Sequence, residues 1–348
     1  MEEKRKETLM RGVIQPLVTA AAGLLLLAAA ASATTHEFYK SKTIRIIVGF
    51  SPGGAFDVYS RAISRHIGKH IPGNPTVMVE NMPGAGSLIL ANQLFSAIKP
   101  DGLTIGNFIG SLLSGQLFDQ KGIQFDARKF EYLGTPVKNH SICVLSKASG
   151  VANIDAWMAS KTPVKMGGIG QGTTTDNVIR VIRATLGLPI QLASGYKGMS
   201  DIRLATESGE VAGTCLAFRT VWQKALDTGE VVPMVQVASK PDPAYPKVPL
   251  AINLAKTEEA RKLIEVGVHD DSATSLTYTL PPGTAKDRVA LLRKAFLDTM
   301  KDSEFLAEMK KSMLDVDPVA GAEVEKIIHD HFKLDAALLG KLKDIFYK

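Results

Sequence analysis

The octapeptide Phe50-Ser51-Pro52-Gly53-Gly54-Ala55-Phe56-Asp57 decides how this chain is read. It follows the apolar run Ile44–Val48 and precedes a stretch with Tyr59, Ile63, Ile67 and Ile71 at four-residue spacing, so it joins a predicted strand to a predicted helix. Further on, Glu80-Asn81-Met82-Pro83-Gly84-Ala85-Gly86-Ser87 does the same after Val77–Val79. Glycines at both turns bare the backbone, and a helix start carries unpaired N–H groups and the positive end of the helix dipole. Two such turns at neighbouring strand ends form a cleft suited to a carboxylate or other anion, with no catalytic side chain required.

Working outward, short β-rich runs alternate with helical stretches almost throughout. Further strands are predicted at Leu103–Phe108, Phe130–Leu133, Ser141–Ser146, Val164–Gly167, Gly213–Ala217 and Val231–Ala238, with an amphipathic helix at Asn177–Leu186. The closing part reads as helices over 285–300, 303–312 and 322–339. This alternation predicts an α/β protein with parallel sheets, whose ligands sit beyond the carboxyl ends of the strands. The stretch 239–249 holds four prolines and suits a connection between lobes.

At the N-terminus, Lys4, Arg5, Lys6 and Arg11 precede the apolar run Val18–Ala31 and the small-residue site Ala31-Ser32-Ala33. That order predicts a secretory signal peptide over residues 1–33. Its removal leaves 315 residues and lowers the formal charge from +6 to +5. So small a charge, without a basic block, gives no case for nucleic acid. Cys143 and Cys215 are read as two buried free thiols on strands, with a disulfide as the alternative that secretion permits.

A third glycine-rich turn, Met166 to Thr175, misses the G-x-G-x-x-G spacing of dinucleotide sites and reads as another anion site, with Thr173, Thr174 or Thr175 adding a hydroxyl. A tight turn capped by threonine is the alternative. In Gly195-Tyr196-Lys197-Gly198, Tyr196 is either a cover for a ligand or part of an ordinary turn. Asp57 either meets a ligand or satisfies the first-turn amides of its own helix. Arg219 is the best-placed single cation for a carboxylate, the other reading being simple surface exposure.

Motifs for hydrolysis, nucleotide binding and zinc proteases are absent from the sequence, so no enzyme activity, cofactor or metal is assigned. His66 and His70 have a helical spacing that can hold zinc. With no third ligand apparent, they read as part of an exposed basic face with Arg61, Arg65 and Lys69. His269-Asp270-Asp271 reads as a polar loop, and His329 and His331 point apart on a helix.

Taken in series, the first two turns, Pro100-Asp101-Gly102-Leu103-Thr104, the 168–176 turn, Gly195-Tyr196-Lys197-Gly198 and Leu280-Pro281-Pro282-Gly283-Thr284 resemble the Bug family of periplasmic solute-binding proteins that serve tripartite tricarboxylate transporters. The resemblance implies a two-lobed type II periplasmic binding-protein fold with the ligand cleft between lobes. Residues 34–137 and 249–348 would form the first lobe and 138–248 the second. It also implies a small carboxylate ligand, a permease of one large and one small membrane subunit, and a monomer. By motif, Pro52, Gly53, Gly54 and Asp57, then Pro83, Gly84, Ala85 and Gly86, would contact the ligand from one lobe, and Thr173 and Thr174 from the other. A ligand-sensing module presenting its solute to a membrane histidine kinase is the alternative. Two departures stand out: Gly168 replaces the usual serine and Asp176 the usual histidine, placing an acid where it could oppose an anion.

Overall fold

The computed structural model describes residues 38–138, 141–215 and 219–348. The signal-peptide assignment, and residues 216–217 of the strand predicted at Gly213–Ala217, lie outside them. Among the described residues, eleven strands form two sheets: β1 Thr43–Val48, β2 Thr76–Asn81, β3 Thr104–Ile109, β4 Glu131–Thr135, β5 Ile142–Ser146, β6 Val164–Gly167, β7 Ile190–Ala193, β8 Gly213–Cys215, β9 Val231–Gln236, β10 Leu276–Leu280 and β11 Val319–Ala320. The first sheet has the order β11-β4-β10-β3-β1-β2 and the second β7-β6-β8-β5-β9.

The glycine-rich turns follow strands that pair in parallel, β1 with β2 and β6 with β7. Elsewhere the sheets are mixed rather than parallel: β10 runs antiparallel to β3 and β4, and β5 antiparallel to β8 and β9. The alternation Leu276, Tyr278, Leu280 is that of a strand inserted between two others, and all five of its residues are buried.

Each sheet owns a core. Ile44, Ile46 and Val48 face the helix Ala55–Ile67 through Tyr59, Ala62, Ile63 and Ile67, while Ile47 joins a second layer with Leu90, Leu94 and Phe108. Helices therefore cover both faces of the first sheet, and each fully buried aliphatic side chain contributes roughly 1.5–3 kcal/mol. Around the second sheet, the helix Thr174–Leu186 buries Val178, Ile179, Val181 and Ile182.

Two segments that the sequence assigns to the first lobe pack in this second core. Ala251, Ala260, Leu263 and Ile264 do so, as do Leu338, Leu342 and Phe346 of the helix Ala336–Tyr347. The single helix expected over 322–339 is two, Gly321–His331 and Ala336–Tyr347, because Asp335 caps the second by accepting the Leu338 N–H at 2.8 Å. The first of these packs Val324 and Ile328 on the first sheet, so the chain crosses between lobes again at 332–335.

The two cysteines are a disulfide, correcting the free-thiol reading. Cys143 and Cys215 stand directly opposite in the antiparallel β5–β8 pair, with Cα atoms 3.8 Å apart. Strand order brings together residues 72 apart in sequence, a neighbourhood that spacing alone does not disclose.

Candidate functional site

Register aligns Val48 with Asn81 and with Asn107, so β1 and β2 end level, β3 runs on to Ile109, and their loops share one edge. In the first loop, Gly54 is the residue preceding the helix Ala55–Ile67 and no side chain caps that helix start. Pro52, Gly53 and Gly54 are exposed. Asp57 turns the other way and is only 2 % exposed. Its carboxylate accepts the Gly53 N–H at 2.9 Å, the Arg61 Nε–H at 2.9 Å and the Asn81 Nδ2–H at 2.9 Å. The Arg61 bond, aided by those from Gly53 and Asn81, holds the Asp57 carboxyl down at about 2. Asn81 also donates to the Phe50 carbonyl at 2.9 Å, so one carboxylate and one amide fix the first loop against the end of β2.

The second loop is wound tightly. Gly84, Ala85, Gly86 and Ser87 have φ of 153°, 47°, 62° and 71° in succession. Non-glycine residues in this region cost roughly 1–2 kcal/mol each, and turns of this kind gather successive amides into a concavity. Pro83, Ala85 and Gly86 are exposed and Gly84 half-buried. Ser87 anchors the turn from below: it is fully buried and its Oγ accepts the Ile109 N–H at 3.1 Å. Gly49 makes room for it, since a Cβ there would lie 2.3 Å from the Ser87 Cβ.

On the second lobe, Thr173 caps the helix Thr174–Leu186, accepting the Asp176 N–H at 3.4 Å and donating to the Gly170 carbonyl at 2.6 Å. Thr174 donates to Asp271 at 3.1 Å. Asp176 is fully buried, accepts the Gly170 N–H at 3.0 Å and takes a very short hydrogen bond from Ser194. It therefore lies beneath the loop. Gly168 is required beside it, because a Cβ would stand 2.3 Å from the Asp176 Oδ1. Tyr196 donates its N–H to the Gly168 carbonyl at 3.2 Å, which fastens the fourth loop to the third. Its hydroxyl is committed to Glu210 at 2.6 Å, and burial together with that bond pushes the phenol up to about 12. Arg219 opens the helix Arg219–Asp227, and its side chain lies outside the described residues.

A cavity of about 370 Å³ lies between the lobes, lined by Ser111 and Ser114 from the first, Gly172, Thr173 and Asn177 from the second, and Asp271, His331 and Phe346. Thr173 is the one nominated residue that lines it among the described residues. The first two loops lie outside this cavity. Sequence reading missed the polar wall behind the third loop. His331, 3 % exposed, bonds Asp270 at 2.8 Å, while burial pushes the adjacent Asp271 carboxyl up. The predicted polar loop at 269–271 is instead helical.

The arrangement offers oriented amides and buried carboxylates that brace loops. The model of the tripartite tricarboxylate transporter family receptors matches residues 61–343. A UPF0065 protein of Bordetella pertussis is 26% identical over 266 residues, covering 74% of this chain and 75% of that protein. Among solved structures, a TctC solute-binding protein from Polaromonas superposes with a TM-score of 0.69 at 16% identity, covering 88% of this chain and 98% of its own. MatC of Rhodopseudomonas palustris with bound malate gives 0.58 at 18% identity, covering 88% and 99%. This chain belongs to the tripartite tricarboxylate transporter family receptors, which are periplasmic solute-binding proteins of the Bug type and not enzymes.

Proposed function

We propose that this protein captures a small organic acid between its two lobes and delivers it to a permease of one large and one small membrane subunit. The observation that carries the reading is the open helix start at Gly54, which no side chain caps, beside the exposed residues Pro83, Ala85 and Gly86 of the second loop. A carboxylate at that edge satisfies first-turn N–H groups and meets the positive end of the helix dipole. The malate held by the structurally similar MatC supports an acid of this size. Pro52, Gly53, Gly54, Pro83, Gly84, Ala85 and Gly86 form the first-lobe contacts, with Asp57 holding their loop from beneath. Thr173, Thr174 and Tyr196 approach from the second lobe when the cleft closes, and Arg219 supplies a cation. Closure is a population shift: the solute bridges both lobes and so stabilises the closed state. Residues 1–33 direct export to the periplasm and are removed there.

A thermal-shift screen of mono-, di- and tricarboxylates tests this. The cognate acid at 100 times its Kd stabilises the protein by about 2.7 kcal/mol. Gly54→Asp puts a negative charge at the open helix start. A Cβ at Gly54 meets nothing nearer than the Ser51 carbonyl oxygen at 4.0 Å, so the variant folds. It abolishes the shift. An unchanged shift in Gly54→Asp removes the first loop from the site.

A further inference from the structure

The helix Ala55–Ile67 and the short helical turn Gly68–His70 that continues it carry His66 and His70 to the start of the helix Ser303–Lys311. There the fold supplies the acidic groups that the sequence interval hides. His66 Nδ1 lies 3.9 Å from Asp302 Oδ1, and His70 Nε2 lies 3.3 Å from Asp302 Oδ2. A metal with bonds of about 2.0–2.1 Å in tetrahedral geometry separates its ligand atoms by roughly 3.3 Å, which the His70–Asp302 separation matches, while that of His66 is wider and closes as an ion enters. His66, Asp302 and Glu304 also bring one ligand atom each within 4.8 Å of one another.

His66 Nε2 lies 2.8 Å from a Glu308 oxygen, and with the proton on that nitrogen Nδ1 keeps a lone pair on the side of Asp302. Two acceptors facing each other repel unless a cation stands between them. A carboxylate behind the distal ring nitrogen is how metal-binding histidines are commonly held. His70 Nε2 is buried and makes no hydrogen bond. The competing cation is Lys69, whose Nζ contacts Asp302 at 2.9 Å and Glu304 at 2.7 Å, while Arg65 pairs with Glu308.

We propose that His66, Asp302 and Glu304, with His70 turning in from its contact with Asp302 as a fourth donor, form a site for Zn²⁺ on the outer face of the first lobe. Two imidazoles and carboxylates match the donor preference of zinc. The ion ties the end of the Ala55–Ile67 helix to a segment more than 230 residues away in sequence. Lys69 swings out when the ion enters and holds the acids together when it leaves.

The test is titration of tag-free protein with ZnCl₂ against a chromophoric chelator, alongside thermal melting. One saturable zinc per chain is expected, with a rise in Tm. His66→Ala and His70→Ala each weaken binding about tenfold or more, and Glu308→Gln, which removes only the carboxylate behind His66, weakens it by a similar factor. Lys69→Ala strengthens it by removing the cation that competes for Asp302 and Glu304. Should a histidine variant fold poorly, Co²⁺ added to the unaltered protein reports directly, through the visible absorption of a tetrahedral site. Zinc binding unchanged in the His66/His70 double variant overturns the proposal. So does the absence of saturable binding up to about 1 mM, or of the cobalt spectrum, each of which leaves only an ion pair between protonated histidines and Asp302.

Discussion

Asp57 and Asp176 occupy the same place in the two lobes: each is the third residue of the helix that follows a glycine-rich turn. Each carboxylate turns back under its loop to accept a glycine N–H, from Gly53 in one and Gly170 in the other. Each also bonds a side chain beyond the neighbouring parallel strand, Asn81 at the end of β2 and Ser194 after β7. The acid that departs from the family pattern at 176 thus repeats the bracing of the first lobe. Its carboxylate is buried on the underside of the loop.

Asp57→Asn loses the charge-assisted bonds to Arg61 and Gly53. Because the folded carboxyl titrates near 2, below its ordinary value of 3.8, its contribution is present above pH 4 and disappears as pH falls towards 2. The stability gap between the unaltered protein and the variant is about 1–2 kcal/mol at neutral pH, since Arg61 is partly solvated. Denaturant melts at pH 7, 4 and 2.5 follow it. A gap that grows on acidification contradicts the account.

Gly168→Ser forces a Cβ to 2.3 Å from the Asp176 Oδ1, an atom pinned by the Gly170 amide, and to 2.9 Å from Leu192. Overpacking of this kind costs roughly 1–3 kcal/mol. Combined with Asp176→Ala, the serine is better tolerated, so the pair is destabilised by less than the sum of the single changes. Strict additivity in a double-mutant cycle would show that the two positions do not meet.

Reduction of the Cys143–Cys215 disulfide opens a loop of 72 residues. Loop-closure entropy puts its worth at about 4 kcal/mol, with the enthalpic share model-dependent. A Cys143→Ala/Cys215→Ala variant melts well below the oxidised protein and is insensitive to added thiol. Equal melting temperatures for the two proteins would remove the disulfide from the stability of the second lobe.

Leu342→Ala opens a cavity in the second lobe although the residue lies far along the chain. Leu342 is fully buried in the core that holds Val178 and Ile182, so the change costs about 2–5 kcal/mol. Hydrogen exchange locates the loss: amides of Thr174–Leu186 exchange faster, whereas those of Ala55–Ile67 keep their protection.

The turns at 50–57 and 80–87 are legible from sequence because each depends on a local pattern, an apolar run, glycines and a helical spacing within about twenty residues. What escapes is whatever depends on sheet order. Asn81 and Ser194 brace their loops only because β2 lies beside β1 and β7 beside β6. Cys143 meets Cys215, and His66 meets Asp302, for the same reason: strands and helices far apart in sequence become neighbours. The helix Ala336–Tyr347 has an apolar face visible in its pattern, but no pattern names the lobe that this face covers.

That last helix has a consequence for how the polypeptide matures. A newly made chain emerges from its N-terminus, and residues 142–236 of the second sheet are available well before Leu338, Leu342 and Phe346. Both lobes therefore wait with greasy surface showing, since β10 in the middle of the first sheet also follows the whole second sheet in the chain.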